Sequence, residues 1–168
     1  MRRSLLAALA IATLISGCGI DGQTVRVGHL PLCDHTNTGR LILMAQSVPT
    51  AQVIPCIDEQ LPDGWKLEHA DAETGRSRLQ FDNEAGVDVV VHLLPSCTPT
   101  GESQITLWPG IESFQVVDES GRVDEYVFAG GCIRLEVPRG DDPDRMADAI
   151  GFLFKDELRA GSGWELPD

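Results

Sequence analysis

Trp65-Lys66-Leu67-Glu68-His69-Ala70, Arg76-Ser77-Arg78-Leu79-Gln80-Phe81-Asp82 and Val87-Asp88-Val89-Val90-Val91-His92-Leu93-Leu94 follow one another along the chain with little between them. Each reads with a period of two, the signature of a strand with one buried and one wet face. In the first, Trp65, Leu67 and His69 alternate with Lys66, Glu68 and Ala70. The connections Glu73-Thr74-Gly75 and Asn83-Glu84-Ala85-Gly86 carry turn residues, and their glycines can take positive φ. Links this short join antiparallel neighbours, because a parallel crossover needs a dozen residues or more. The passage therefore predicts an antiparallel meander.

Downstream, residues 114–118 and 122–128 flank the turn Glu119-Ser120-Gly121, and residues 132–137 make a further strand after Gly130-Gly131. Five or six strands are expected. A helix is expected from Asp142: Asp141 or Asp142 can cap it, and Pro143 suits its first position. Met146, Ile150, Leu153, Phe154 and Leu158 share one face at three- and four-residue spacing, and Gly161 closes the segment. Upstream, Leu41-Ile42-Leu43-Met44 opens an apolar run that Pro49, Pro55 and Pro62 divide, so short helices are expected at 38–46 and 50–53. The expected fold class is α+β, an antiparallel sheet of five or six strands with a C-terminal amphipathic helix packed on it.

The chain has 168 residues, 42% apolar and 23% charged, with 13 basic against 26 acidic side chains and a net charge of −13. That balance argues against a nucleic-acid partner, since phosphate binding needs a positive field. The patterned apolar runs argue against a disordered acidic tail. A domain of about 150 residues buries roughly two-thirds of its unfolded surface, enough for a core of its own.

The N-terminus points to a compartment. Met1-Arg2-Arg3 is a basic start, Leu5 to Ile15 is apolar but for Thr13, and Ser16-Gly17 supplies small residues before a cleavage point. This is the pattern of a secretory signal peptide, expected over 1–17. Its apolar core rises about 16 Å as a helix, roughly half the hydrocarbon thickness of a bilayer. Ile15-Ser16-Gly17-Cys18 resembles the lipobox of bacterial lipoproteins. The resemblance implies cleavage before Cys18, a lipid (palmitate among its acyl chains) on its thiol, and localisation to the cell membrane, facing the extracytoplasmic side. Two or three acyl chains hold a protein on a bilayer far longer than one. Gly19, where a retention Asp could stand, leaves the choice between an inner and an outer membrane open. Loss of the leader removes Arg2 and Arg3 and no acid, taking the net charge from −13 to −15. Residues 18–30 are expected to form the lipidated start and a polar tether, and residues 31–168 a single α+β domain.

With Cys18 assigned to lipid, Cys33, Cys56, Cys97 and Cys132 remain, an even set that reads as two disulfides with three possible connectivities. Cys33–Cys56 and Cys97–Cys132 are favoured, because each pair brackets one contiguous segment and the second joins a strand end to a strand start.

Motifs that carry chemistry are few in this chain. No nucleophile elbow, zinc motif or Walker loop occurs; the nearest approach, Gly101-Glu102-Ser103, lacks its second glycine. His29, His35, His69 and His92 are scattered, with Asp34-His35 beside Cys33, and His69 and His92 able to meet across strands if the registers match. Asp141, Asp142 and Asp144 invite a calcium reading, but Pro143 interrupts them and acids at a helix start already have a structural use. Asp118-Glu119 with Asp124-Glu125 reads as a solvated acidic hairpin, whose functional use is attraction of a cationic partner. Trp65 is expected in the core, while Trp108 and Trp164 are the candidate binding surface. No catalytic residue, metal ligand or cofactor is expected.

Val53-Ile54-Pro55-Cys56, Leu61-Pro62-Asp63-Gly64-Trp65, Ser96-Cys97 and Gly130-Gly131-Cys132 together resemble a group of small exported proteins of high-GC Gram-positive bacteria. That resemblance implies a stapled extracytoplasmic domain and lends no catalytic residue. The expected function is a non-enzymatic, membrane-anchored binding module of the cell envelope, engaging an envelope protein or a small ligand. The alternative is a cell-envelope hydrolase whose site is assembled from distant residues.

Overall fold

A computed structural model describes residues 29–34, 38–104 and 108–162. Cys18, the tether up to 28, His35 and Trp164 lie outside the described residues. The first element, α1 (Thr38–Ser47), places Leu41, Met44, Ala45 and the following Val48 on one buried face at helical spacing. Pro49 then ends it. The expected helix at 50–53 does not form. Val53 instead opens β1 (Val53–Ile57), every residue of which is buried.

The meander forms as expected, with β2 (Trp65–Glu73), β3 (Arg76–Asn83) and β4 (Asp88–Leu94) paired antiparallel in order. A shift of register between Leu67 and His69 changes the phase of β2, so that Ala70 rather than His69 lies opposite the buried Leu79. The chain then crosses to the far edge as β5 (Glu102–Gln104) and returns through β6 (Ile111–Val117), β7 (Gly121–Phe128) and β8 (Gly131–Pro138). The result is a seven-stranded sheet, β2-β3-β4-β8-β7-β6-β5, antiparallel throughout, with β8 closing against β4. This exceeds the expected five or six strands because β5 is too short and too polar to carry a period.

The expected C-terminal helix is corrected. Residues 141–162 fold as α2 (Asp141–Asp148), β9 (Ile150–Phe154) and α3 (Lys155–Ser162). Ile150-Gly151-Phe152-Leu153-Phe154 holds a glycine that costs a helix about 1 kcal/mol, amid aromatic and β-branched residues that favour a strand. Pairing with β1, from Val53 opposite Phe154 to Ile57 opposite Ile150, satisfies a ladder that β1 would otherwise leave open. Gly151 lies under the Cys33–Cys56 staple, where a Cβ would stand 2.9 Å from the Cys33 Sγ. Met146, Ile150, Leu153 and Leu158 still reach the core, from three elements instead of one face.

Both favoured disulfides are present, Cys33–Cys56 with Cα atoms 5.2 Å apart and Cys97–Cys132 with 5.8 Å. The first fastens the entering chain to β1, beside which Leu32 bridges Ile57 in parallel and the Ile57 amide donates to the Pro31 carbonyl. The second ties the chain leaving β4 to the start of β8.

One face of the large sheet is covered. Leu79, Phe81, Val89, Val91, Leu93, Ile133 and Leu135 pack there against α1, the β1–β9 ribbon and α2. Trp65 is 7% exposed, as its expected core place requires, and its indole Nε1 donates to the Asp142 carboxylate at 3.2 Å. No element among the described residues covers the other face.

Candidate functional site

Alternation places one residue in two on the open face, and register then decides who meets whom. Across the middle of the sheet run Asp71, Arg78, His92, Arg134 and Glu125, contributed in order by β2, β3, β4, β8 and β7, each opposite the next. The neighbouring row holds Gln80, Val90, Glu136, Val123 and Val116. A trough of about 400 Å³ lies over Val90, Val123 and Val116, with Arg134, Glu136 and Asp118 at its rim. A smaller hollow of about 290 Å³ adjoins His92, bounded by Arg76 and Arg78 on one side and Asp71 and Glu73 on the other.

Several charges of the two hollows are paired. Arg134 reaches Glu136 at 3.2 Å and Glu125 at 3.7 Å, and Arg76 reaches Glu73 at 2.9 Å. His92 Nε2 stands 4.0 Å from Glu136. Burial is the largest influence on the His92 imidazole and lowers it below the usual histidine range. Glu136 pulls the other way, while Arg78, Arg134 and Arg76 add to the lowering.

The acidic hairpin does not present one solvated face. Asp118 and Glu119 are exposed at the turn, but Asp124 is 6% and Glu125 7% exposed, and the strand's alternation sends them to opposite sides. Glu125 pairs with Arg134 on the open face. Asp124 accepts from Arg122 Nε at 2.8 Å and Gln115 Nε2 at 2.7 Å on the covered side, where Arg122 also bonds Asp144. Burial lowers the Arg122 guanidinium, yet its bond to Asp124 and the charges of Asp124, Asp144 and Asp148 outweigh it and hold the group above its ordinary value.

The helix-start acids are likewise engaged. Asp142 accepts from Trp65 and, at 2.8 Å, from the Asn83 amide, and Asp144 holds Arg122. Among the described residues no three His, Cys, Asp or Glu converge as a metal site. His69 and His92 do not meet: β3 separates their strands, His69 facing Gln80 and His92 facing Arg78. Glu102 and Ser103 sit on the exposed edge strand β5, where they pair with Gln115 and Phe114 and do not form an elbow.

Trp108 is 40% exposed and meets Phe152 edge-on at a centroid distance of 5.1 Å; Phe152 in turn meets Tyr126 at 4.7 Å. It caps the end of an aromatic cluster, away from the valine trough. Burial there pushes the Tyr126 phenol up to about 12, with Asp124 adding and Arg122 opposing.

The open-face site thus rests on Arg78, His92, Arg134, Glu125 and Glu136, most of which sequence reading passes over. Alternation alone could have assigned Arg78, Gln80, Arg134 and Glu136 to the polar side of their strands. What it lacks is the pairing of β4 with β8, which joins residues from Leu94 with Cys132 to Val90 with Glu136, far apart in sequence. No family model, curated protein or solved structure matches this chain.

Proposed function

We propose that the chain is a membrane-anchored extracytoplasmic lipoprotein whose sheet domain is a binding module of the cell envelope. The observation that carries the reading is the seven-stranded sheet with one face packed and the other open, its trough floored by valines and rimmed by paired charges. A sheet face of this kind offers a shaped, partly apolar surface with polar groups to fix orientation. The anchor rests on the sequence around Cys18. Support for its direction comes from the entry of the chain beside β1, on the packed side, where Cys33–Cys56 clips it. The domain's net negative charge keeps it off anionic headgroups.

Two measurements test the reading. Radiolabelled palmitate is expected to enter the wild-type chain and not Cys18→Ala; absence of label in both overturns the anchor. A photocrosslinking residue at Val123, on the open face, is expected to give a discrete adduct in cells that the same residue at Glu157, on the exposed side of α3, does not. Equal adducts from both positions, or none from Val123, remove the binding face.

A further inference from the structure

The cations of the open face are not all matched. In a chain with twice as many acids as bases, Arg78 makes no ion pair among the described residues, and its guanidinium Nη2 donates to Gln80 Oε1 at 2.6 Å. Its cross-strand neighbour on β4 is His92, and His92's neighbour on β8 is Arg134. Like charges directly opposite one another in a sheet are unfavourable. Arg134 is compensated by Glu125 and Glu136, and Arg76 by Glu73. Arg78 and His92 are left facing a hollow of about 290 Å³, whose lining also holds Asp71, opposite Arg78 on β2 but not within ion-pair distance of it, and Glu73, already engaged by Arg76. That volume exceeds a bare tetrahedral anion and leaves room for a small polar carrier.

We propose that this hollow is a proton-gated oxyanion site, in which the Arg78 fork and a protonated His92 together hold a phosphate or carboxylate group. A guanidinium presents two parallel N–H groups that match such an anion. Neutral imidazole turns one donor and one lone pair to its surroundings, whereas imidazolium offers two donors and a charge. The groups facing His92 are Arg76 and Arg78 on β3, Arg134 and Glu136 on β8, and Asp71 and Glu73 on β2 at the hollow's rim. Burial first, and the three arginines after it, disfavour the proton on His92, against the opposing pull of Glu136. An incoming anion offsets the arginines, so proton and anion bind cooperatively, each strengthening the other by the same factor. The site is weak at neutral pH and fills as the medium acidifies below the usual histidine range.

The inference rests on the open face being the binding face, but not on the anchor. The test follows the His92 ring proton by NMR against pH in the full-length chain in uncharged detergent, with sulfate, acetate or chloride at matched ionic strength. Sulfate stands for tetrahedral oxyanions and acetate for carboxylates. The favoured anion is expected to raise the His92 midpoint by about one unit relative to chloride, which equals about tenfold tighter binding in acid than in base. His92→Gln, titrated with sulfate and read by the amide shifts of β3 and β4, should bind without pH dependence. Arg78→Gln should lose the shift, and Arg78→Lys, which keeps the charge without the fork, should keep part of it. No shift in either arm, or an equal shift in Arg78→Gln, overturns the proposal. An adduct at Val123 together with no anion effect removes this site and leaves the binding face standing.

Discussion

Replacing Asp142 with Ala is expected to cost the fold about 3 kcal/mol, although the residue stands at the exposed start of a short helix. Its carboxylate accepts the Trp65 indole N–H at 3.2 Å and the Asn83 amide at 2.8 Å, tying α2 to β2 and β3. Hydrogen bonds to a charged group contribute about 1.5–3 kcal/mol each, and partial burial puts these at the lower end of that range. Trp65 is 7% exposed, so its N–H loses its partner where little water can replace it. Loss of one acid from the first turn of the helix adds a few tenths of a kcal/mol. In a domain of this size such a loss lowers the thermal midpoint by about 10 °C. The assay is equilibrium unfolding in urea with both disulfides intact, read by tryptophan fluorescence, with an unchanged slope as the sign that only stability has moved. Asn83→Ala in a double-mutant cycle should couple to Asp142→Ala by about 1–2 kcal/mol. A loss below about 1 kcal/mol refutes the accounting. So does a wild-type midpoint that calcium raises and Asp142→Ala abolishes, because the acids at 141, 142 and 144 would then serve an ion and not the sheet.

Asp124→Ala is expected to cost about 3 kcal/mol by leaving Arg122 and Gln115 without their buried acceptor, whereas Glu119→Ala in the same hairpin should cost under about 0.5 kcal/mol; equal losses in urea unfolding would return the hairpin to a solvated face. Tyr126 is the one tyrosine of the chain, so ultraviolet absorbance reports its ionisation alone, and the native midpoint should lie near pH 12 against about 10 in urea. Because the folded value is raised, the stability it contributes is present below about pH 10 and is lost as pH climbs toward 12; a native midpoint near 10 contradicts the burial of the ring. With sequence separations of 23 and 35, removing Cys33–Cys56 or Cys97–Cys132 as a Ser pair should cost about 3 and about 4 kcal/mol in urea unfolding, in that order of size.

The meander, the two staples and the buried Trp65 were legible because each depends on local signals: period two, short turns and bracketing cysteines. The end of the chain was not, and the reason is specific. Ile150, Leu153 and Phe154 fit a helical stripe and an extended apolar run equally well, since a short, nearly continuous apolar run shows neither period. Gly151 was the local clue in favour of a strand. What decided the matter was β1, whose open ladder is invisible until the chain has folded back on it. The same limit governs the open face. Alternation marks Arg78, His92, Arg134 and Glu136 as outward-facing, but the register between β4 and β8 is set by core packing on the opposite side and by the turns of two separate meanders.

The sheet's two edges narrow how a partner can engage it. A long flat edge is a template for another strand, and both edges here are blunted. β5 has three residues, all exposed. β2 is interrupted by its register shift, beside which Lys66 pairs with Glu68 at 3.0 Å and Asp82 at 3.4 Å. Strand addition is therefore disfavoured at either end, and the face remains. On that face the valines contribute affinity only where they are dehydrated, and dehydrating them also strips water from Arg134 and Glu136. Charges already paired within the protein gain little from a new partner and lose solvation to it. A ligand that covers the trough must replace that water with groups of its own or seat itself beside the pairs, and Arg78, which makes no ion pair among the described residues, offers the proposed anion such a seat next to His92.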